Sequence, residues 1–302
     1  MLPIFCINKI LINDNNMNNY VISIASGKGG TGKTTVAVNF ALSLNNVQFL
    51  DCDVEEPNAN LFLKAAISKT IDALISVPKI DENLCNYCGK CQEVCQYKSL
   101  AIIPSSNNSK GIVLTFPHLC HSCGACVYIC PKTAIEEVDK KIGEIEIGNR
   151  GDILFASGKL SIGEIMSPYL IKQVKKNINK SRNVIIDAPP GTSCPVIETV
   201  KHTDFCVLVT EPTPFGLNDL ILAVDVLKKL KIPFGVVINR SDIWNNMINM
   251  YCNEENIPIL MEIPFDMGIA RLYSNGIPFV EKMPHYKQEF IRMFEQIKRI
   301  LE

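Results

Sequence analysis

The sequence predicts an α/β protein in which a parallel sheet carries helices on both faces, with a small α+β domain inserted into it. Three observations lead to this prediction: short apolar segments that alternate with helical patterns, a glycine-rich loop between the first strand and the first helix, and eight closely spaced cysteines in the first half of the chain. The length of 302 residues agrees with about two domains.

The overall composition argues against several classes of function. Hydrophobic residues make up 47% of the chain, and the formal net charge is −1. This balance gives no electrostatic reason to expect binding to nucleic acid or to an anionic membrane surface. No apolar run reaches the roughly 18 residues that span a bilayer, so we expect no membrane-spanning segment.

The first 19 residues differ from the rest of the chain. They contain one short apolar patch, followed by an asparagine-rich stretch at 13–19. The basic region, long apolar region and cleavage site of a signal peptide are missing. We interpret residues 1–19 as a disordered extension or a misassigned start, with Met17 as an alternative first residue, and we expect a cytoplasmic protein.

The main sheet is predicted from short apolar segments with the composition of buried strands. They are residues 20–25, 47–50, 183–186, 205–210 and 234–238. Helical patterns separate them, as at 34–44 and 217–230, which is typical of a parallel sheet covered on both faces. The last four strands end at polar residues, namely Asp51, Asp187, Glu211 and Asn239. Ligands bind at this edge of such sheets.

The loop after the first strand has the spacing of a phosphate-binding loop. Residues 27–34 match G-x-x-x-x-G-K-[ST] and stand between a strand and a helix. In such a loop the backbone N–H groups surround the phosphates, the lysine reaches the β- and γ-phosphates, and the hydroxyl ligates Mg²⁺. We assign these last two roles to Lys33 and Thr34. The predicted site for ATP and Mg²⁺ consists of Gly27, Lys28, Gly29, Gly30, Thr31, Gly32, Lys33, Thr34 and Thr35.

A second lysine in this loop, Lys28, resembles the signature of the MinD/Mrp group of P-loop ATPases, which are deviant Walker A proteins of the SIMIBI class. This group includes the nitrogenase iron protein, iron–sulfur scaffold ATPases and partitioning ATPases. The resemblance covers residues 20–302 outside the insert. It implies a dimer, either of two identical chains or of this chain and a paralogue. In that dimer Lys28 would reach the partner's phosphates and act in catalysis beside Lys33.

The remaining motifs of this group occur in the same order along the chain. Residues 51–58 resemble switch I, which implies that Asp53 positions or activates the attacking water and that Asp51 supports Mg²⁺. Residues 187–192 resemble the Walker B strand end and switch II, which implies a place for Asp187 in the Mg²⁺ shell. The alternative for such an aspartate is a cap on a neighbouring helix.

Two further segments resemble the part of the group's site that binds the adenine base. Asn239 and Arg240 stand at the end of a strand, and the resemblance implies that Asn239 contacts adenine. Pro264 begins the sequence Pro-Phe-Asp at 264–266 and is expected to close the base pocket.

Eight of the 13 cysteines form two runs of identical spacing, C-x2-C-x2-C-x3-C. Bacterial ferredoxins with two [4Fe–4S] clusters have this spacing, and the fourth cysteine of each run binds the other cluster. The first cluster is therefore assigned to Cys85, Cys88, Cys91 and Cys130. The second cluster is assigned to Cys120, Cys123, Cys126 and Cys95. Structural zinc is the alternative, but it needs only four ligands.

The two runs predict an inserted ferredoxin-like domain at residues 81–135, so that the P-loop domain consists of residues 20–80 and 136–302. The resemblance is closest to the subgroup of MinD/Mrp ATPases that has such an insert. A polar turn at 105–111 joins the two runs. The alternating segment 136–147 is predicted to form a hairpin that returns the chain to the main domain. Because about 55 residues bury little core, we expect the clusters to stabilise the insert.

The sequence leaves two roles open for Cys194. This residue lies at the switch II position where the nitrogenase iron protein has a cluster-ligating cysteine, but the chain offers no second cysteine of that kind before Asp187. Cys194 is therefore either a ligand of a transferred metal or cluster, or a packed thiol. The same two alternatives apply to Cys52.

The leading functional hypothesis is an ATP-hydrolysing dimeric switch coupled to two [4Fe–4S] clusters. It would act with a redox or metal-cofactor partner protein, in electron delivery or in iron–sulfur and metal-cofactor assembly, and its hydrolysis is expected to be slow without that partner. One alternative is a MinD-like spatial-organisation ATPase that binds membranes through an apolar stripe at 290–301. Another is a nucleotide-binding scaffold with little hydrolysis.

Overall fold

The computed structural model describes residues 19–104, 110–242 and 246–302. The predicted extension at 1–19 therefore lies outside the described residues except for Asn19, and so does most of the polar turn at 105–111. Within the described ranges, no helix is both long enough and apolar enough to cross a bilayer.

The described residues form eleven strands and ten α-helices. The strands are β1 (Val21–Ala25), β2 (Val47–Asp51), β3 (Ala66–Ile80), β4 (Leu100–Ile103), β5 (Ile112–Thr115), β6 (Ile135–Arg150), β7 (Ile153–Leu160), β8 (Asn183–Asp187), β9 (Phe205–Thr210), β10 (Phe234–Asn239) and β11 (Ile259–Ile263). The helices are α1 (Lys33–Ser43), α2 (Ala59–Leu63), α3 (Lys90–Val94), α4 (Ala125–Ile129), α5 (Ser167–Lys175), α6 (Cys194–Val200), α7 (Pro214–Leu230), α8 (Met247–Glu254), α9 (Met267–Ser274) and α10 (Pro284–Leu301).

Nine of the strands form one sheet in the order β11-β10-β9-β1-β8-β2-β7-β6-β3. Neighbouring strands are parallel from β11 to β7. Only β6 runs in the opposite direction among these described strands, because it pairs antiparallel with both β7 and β3. The predicted fold class, a largely parallel sheet, is confirmed for the main part of the chain.

Helices cover both faces of the sheet, and the side chains of β9 show the two environments. Phe205, Val207 and Val209 pack into a core that includes residues of α1 and α10. Cys206 and Leu208 pack on the opposite face with residues of α6, α7 and α8. Because both faces are buried, these strands have continuous apolar sequences and no alternation of apolar and polar residues.

The apolar stripe of α10 packs against the protein's own core. Phe290 and Ile297 are fully buried. The Phe40 ring of α1 lies 6.0 Å from the Phe290 ring and 6.1 Å from the Phe294 ring, measured between centroids. Most of the stripe that was considered for membrane binding is therefore engaged within the domain.

Between β3 and β6 the chain forms a separate small unit. The two strands make a long antiparallel ribbon, and Ile80 pairs with Ile135 at its far end. Beyond this end lie α3, α4, a 3-10 turn at Pro117–Leu119 and a two-stranded antiparallel sheet of β4 and β5. The buried apolar cluster of the unit is small and consists of Cys91, Leu100, Ile102 and Ile135.

The prediction of a hairpin within residues 136–147 is wrong. These residues belong to the single strand β6, which pairs on both sides. The chain reverses later, at Gly151, whose φ of +54° lies in the left-handed region that favours glycine. Period-two alternation is the same in a hairpin and in one long strand, so the pattern alone does not tell them apart.

Candidate functional site

The phosphate-binding loop opens onto a cavity of about 370 Å³ at the carboxyl ends of the parallel strands. This volume lies within the usual range for small-molecule sites, about 300–1,000 Å³. The loop begins where β1 ends, and α1 starts at Lys33, so the unpaired N–H groups of its first turn are available to an anion. The predicted loop residues that line the cavity are Lys28, Gly29, Gly30, Gly32, Lys33, Thr34 and Thr35.

Close contacts on two sides fix the conformation of this loop. A Cβ atom on Gly27 would stand 2.1 Å from the backbone oxygen of Asp219 in α7. Gly32 has a φ of +87°, and a Cβ atom there would stand 2.4 Å from Asn239 Nδ2. The Asn239 Nδ2 group donates a hydrogen bond of 2.8 Å to the carbonyl oxygen of Thr31. The loop is thus held between α7 and the end of β10.

Lys33 lies between two of the predicted carboxylates. Its ammonium nitrogen is 2.7 Å from Asp187 Oδ1 and 3.7 Å from Asp53 Oδ2. The lysine is 6% exposed and Asp187 is fully buried. Asp51 and Asp187 are directly paired residues at the ends of the neighbouring strands β2 and β8. The parallel register therefore brings the carboxylates together beside the loop.

Burial and mutual repulsion change the acidity of these groups. Burial and the neighbouring Asp187 carboxylate raise the pKa of Asp51 to about 8. Burial raises the pKa of Asp53 to about 6, although the Lys33 ammonium opposes the rise. Burial by itself would lower the pKa of Lys33, but the Asp187 and Asp53 carboxylates outweigh this effect and raise it. Three acidic groups around one lysine leave the site with excess negative charge, which a divalent cation would neutralise.

The donor set fits Mg²⁺. Asp187 Oδ2 is buried and has no hydrogen-bond partner among the described residues, so one carboxylate oxygen is left for a cation. Thr34 lines the cavity. Asp51 is oriented by two backbone donors, the N–H groups of Asp53 at 3.1 Å and of Ala59 at 3.0 Å. Hard oxygen ligands of this kind are the ones Mg²⁺ prefers. Asp187 caps no helix here, since Ser193 is the residue before α6.

The same cavity is lined by the residues predicted for the nucleobase. Asn239, Arg240 and Pro264 line it. Because Asn239 Nδ2 donates to Thr31, its Oδ1 is the acceptor; it accepts the Arg240 N–H at 3.1 Å and retains a second lone pair. Sequence reasoning missed three apolar residues that also line the cavity, Ile269, Tyr273 and Phe279. For Ile269 and Tyr273 the available signal is the apolar strand followed by a helical pattern at 259–274, because a helix that starts after a parallel strand lies beside the same edge of the sheet.

The eight clustered cysteines line two separate cavities in the small unit. One is lined by Cys85, Cys88, Cys91 and Cys130. The other is lined by Cys95, Cys120, Cys123 and Cys126. Each cavity therefore combines three cysteines of one run with the fourth cysteine of the other run. No group of three or more His, Cys, Asp or Glu side chains in the described ranges converges on the position of a single ion.

Backbone geometry around the sulfurs suits thiolate ligands. The N–H groups of Tyr87 and Ser122 each donate to the sulfur two residues earlier, at 3.4 Å. The N–H groups of Ser99 and Ala134 each donate to the sulfur four residues earlier, at 3.3 Å. Such bonds stabilise a sulfur that carries negative charge. Four cysteines around each cavity, with donors directed at them, fit a [4Fe–4S] cluster.

Cys194 and Cys52 lie in different environments. Cys194 is the first residue of α6 and is exposed. Cys52 is fully buried and packs with residues of α5. Burial in this apolar cluster, followed by the nearby Asp51 carboxylate, raises the pKa of the Cys52 thiol. For Cys52 the structure favours the packed-thiol alternative.

The N-terminal part of α5 makes hydrogen bonds to a segment of each site. Ser167 donates a hydrogen bond to Glu55, which stands in the segment after β2 that also contains Asp53. Two residues further along the same helix, the Tyr169 hydroxyl donates to the carbonyl oxygen of His121. The His121 ring stacks on the Tyr97 ring at 3.5 Å between centroids, and both residues line the second cysteine cavity. Sequence reasoning missed this connection.

The loop, the buried carboxylates and the parallel sheet together define a P-loop nucleotide-binding protein. The chain belongs to the CobQ/CobB/MinD/ParA nucleotide-binding domain family, which matches residues 22–279. It is an ATPase of the MinD/ParA type, as its P-loop motifs predicted.

Proteins of known sequence and structure agree with this membership. Uncharacterized protein MJ0578 of Methanocaldococcus jannaschii is 31% identical over 288 residues, which cover 93% of this chain and 97% of that protein. The iron-sulfur cluster carrier protein of Pyrococcus furiosus is 26% identical, over 86% of this chain and 79% of that protein. The Pyrococcus furiosus cell division ATPase MinD superposes with a TM-score of 0.57 at 20% identity, covering 94% of this chain and 100% of that chain.

Proposed function

We propose that this protein is an ATP-driven dimeric switch that holds two [4Fe–4S] clusters and acts in iron–sulfur or metal-cofactor assembly or in electron delivery. The observation that carries the proposal is the pair of four-cysteine cavities on a ribbon that extends from the sheet of an ATPase. The name of the Pyrococcus relative, an iron-sulfur cluster carrier protein, supports an iron–sulfur role. Because cysteine ligands need a reducing compartment, we also propose a cytoplasmic location.

In this proposal residues 81–135 form a ferredoxin-like domain inserted between residues 20–80 and 136–302. The first cluster is held by Cys85, Cys88, Cys91 and Cys130, and the second by Cys120, Cys123, Cys126 and Cys95. When bound, the clusters supply one-electron redox chemistry. The small apolar core of the unit supports the view that they also stabilise it.

The nucleotide site uses the buried charges described above. Phosphate groups would draw the Lys33 ammonium away from Asp187 and Asp53, since a bound triphosphate carries more negative charge than these two carboxylates together. Asp187 and Thr34 would then hold Mg²⁺, with Asp51 in support. Asp53, with a pKa of about 6, is mostly ionised at neutral pH and is able to orient the attacking water or accept its proton.

The proposal of a dimer depends on Lys28, a residue of the phosphate-binding loop that lines the cavity. We propose that Lys28 reaches the phosphates bound by a second copy, or by a paralogue, when ATP closes the two subunits. Asp53→Ala with ATP should give a dimer in sedimentation velocity. The double variant Lys28→Ala/Asp53→Ala should stay monomeric, while Lys229→Ala/Asp53→Ala, altered at an exposed lysine of α7, should dimerise. A monomeric Asp53→Ala protein with ATP bound would contradict this part of the proposal.

Coupling between the two sites is proposed to run through α5. Glu55 stands beside the nucleotide carboxylates and accepts a hydrogen bond from Ser167, and Tyr169 of the same helix donates to His121 beside the second cysteine set. A shift of the segment after β2 on ATP binding or hydrolysis would therefore move a helix that contacts the loop carrying Cys120 and Cys123. Both contacts are made by a single rigid element.

The two alternative functions have less support. A membrane-positioning role would need the apolar stripe of α10, but most of that stripe packs on α1 and the sheet. A scaffold with little hydrolysis is opposed by Asp53, whose carboxylate lies 3.7 Å from the Lys33 ammonium and lines the cavity.

The test measures how fast a strong iron chelator removes iron from anaerobically purified protein, with ATP, with ADP and without nucleotide. We expect ATP to change the rate, and we expect the change to persist in Asp53→Ala and to fade in wild type as ATP is hydrolysed. Phosphate release should be lost in Asp53→Ala and kept in Asp225→Ala, which alters an exposed aspartate of α7. Protein without iron, or a rate that is the same in all three conditions, would refute the proposed function.

A further inference from the structure

We propose that Ser99 raises the reduction potential of the cluster held by Cys120, Cys123, Cys126 and Cys95 above that of the other cluster. The first electron to enter the small unit then settles on the cluster nearer to the nucleotide domain. This inference rests on the proposed function, because it requires that both cysteine sets hold [4Fe–4S] clusters.

The two cysteine runs provide an internal comparison because their backbones are nearly the same. Tyr87 and Ser122, the second residue after each first cysteine, both have positive φ, at 57° and 50°. Gly89 and Gly124 follow at 76° and 70°. The backbone N–H···S distances agree pairwise, at 3.4 Å for the first cysteines and 3.3 Å for the fourth cysteines. Backbone donors therefore tune the two sets alike.

The side chain four residues after the last cysteine of each run breaks this symmetry. In the first run it is Ser99, whose Oγ lies 3.1 Å from Cys95 Sγ. In the second run it is Ala134, which has no side-chain donor. Both residues are buried, at 4% and 3% exposure. A cluster-bound thiolate sulfur has no proton, so the Ser99 hydroxyl is the donor of this bond.

A hydrogen bond to a ligand sulfur favours the more negative, reduced state of a cluster and raises its potential. Ser99 acts on Cys95, which belongs to the second cluster because the fourth cysteine of each run crosses to the other set. Since Ser99 is buried, water competes little with its hydroxyl for the sulfur.

Charged side chains near the two cavities act in the opposite direction. Lys90 and Lys132 line the first cavity, and Glu137 lines the second. All three are exposed, so the high dielectric constant of the surrounding water weakens their effect on a cluster. We therefore expect the buried, short-range bond from Ser99 to decide the order of the two potentials.

The position of the second cluster gives this order a consequence. Its cavity is lined by Ser76, Pro78 and Glu137, whereas the first cavity is lined by Ile80 and Ile135 at the far end of the β3–β6 ribbon. The second cavity is thus nearer to the main sheet, and its His121 loop accepts the hydrogen bond from Tyr169 of α5. An electron from a low-potential one-electron donor would rest at the cluster in contact with the ATPase domain.

The test is an anaerobic redox titration with dithionite, followed by low-temperature electron paramagnetic resonance, on protein of measured iron content. Wild type should show two one-electron steps at different potentials. Ser99→Ala should lower the upper step and leave the lower step in place. We expect about a tenfold change in the ratio of reduced to oxidised second cluster at fixed potential, which is 59 mV for one electron.

A matched variant tests the same reasoning at the other cluster. Ala134→Ser should raise the lower step, and Ser99→Thr, which keeps the hydroxyl, should stay close to wild type. An unchanged upper step in Ser99→Ala at full iron content would overturn the inference, and so would a loss of iron without a change in potential, because a purely structural role predicts that result. Wild-type protein with fewer than two clusters would overturn the proposed function itself, which distinguishes the two failures.

Discussion

Replacing Asn239 by alanine should weaken binding of ADP much more than binding of GDP. We propose that the two polar atoms of the Asn239 amide have separate roles. Its Nδ2 holds the Thr31 carbonyl at 2.8 Å, which braces the phosphate-binding loop for any nucleotide. Its Oδ1 is then fixed as an acceptor, which suits the exocyclic amine of adenine and opposes the carbonyl of guanine.

The magnitude follows from these two hydrogen bonds. A neutral hydrogen bond is worth about 0.5–1.5 kcal/mol net, so loss of the brace should raise the Kd of both nucleotides about 2- to 13-fold. Loss of the adenine contact applies to ADP alone, and if the two effects multiply, its Kd should rise about 5- to 160-fold. The preference for adenine over guanine should fall accordingly.

Isothermal titration with ADP and GDP measures this difference without the complication of hydrolysis. Asn249→Ala is the matched control, because Asn249 makes an exposed hydrogen bond of 2.7 Å to Glu262, and neither of these two residues lines the cavity. Equal weakening of ADP and GDP would refute the adenine contact and leave only the brace. Unchanged affinity for both nucleotides would refute both tasks.

Three other predictions concern the loop, the buried carboxylates and the helix between the two sites. Gly27→Ala should lower the melting temperature of the nucleotide-free protein and weaken nucleotide binding, because its Cβ would stand 2.1 Å from the backbone oxygen of Asp219. Gly29→Ala is the control and should leave the melting temperature unchanged, because its Cβ would meet nothing within 4 Å. Equal melting temperatures for the two variants would contradict the close contact between the loop and α7. Because burial and Asp187 raise the pKa of Asp51 to about 8, the folded chain retains a proton that the unfolded chain, with a pKa near 3.8, releases. Stability without Mg²⁺ and nucleotide should therefore fall from pH 6 to pH 8 in calorimetry, and Asp51→Asn should reduce this slope; stability that rises over the same interval would contradict the assignment. Tyr169→Phe, which loses the bond to His121, should bind ATP normally but abolish the effect of ATP on iron removal by a chelator, whereas an undiminished ATP effect would exclude this route.

Local sequence patterns predicted the strands that are buried on both faces. Residues 205–210 occur as β9 with the predicted ends, because a continuous apolar run bounded by polar residues specifies such a strand without reference to its neighbours. The same reasoning placed Asp51 and Asp187 at strand ends, and the parallel register brought them together. The carboxylate cluster was therefore accessible from the sequence.

The ribbon of β3 and β6 was not predicted, because its strands depend on each other. Along β3 the side chains at 66–70 are exposed, so no apolar pattern marks this part as a strand. Its pairing with β6 joins residues that are far apart in the chain, such as Ala66 with Asn149. Without knowledge of the partner strand, the alternation at 136–147 was misread as a hairpin.

The contacts that connect the sites were also beyond sequence reasoning. The bond from Asn239 to Thr31 and the bond from Tyr169 to His121 join residues that are 208 and 48 positions apart. Ser99 occupies a position that the cysteine repeat itself singles out, since its counterpart is Ala134. A comparison of the two runs beyond their cysteines would have found this difference, although not the 3.1 Å approach to Cys95.

The most direct test of the central claim is the iron and acid-labile sulfide content of anaerobically purified protein, measured together with zinc. The crossed arrangement of Cys85, Cys88, Cys91 and Cys130, and of Cys120, Cys123, Cys126 and Cys95, predicts about eight irons and eight sulfides per chain. Cys95→Ser should affect the cluster bound by the second run and leave about four irons in the other cluster. Zinc in place of iron, or iron without sulfide, would contradict the account.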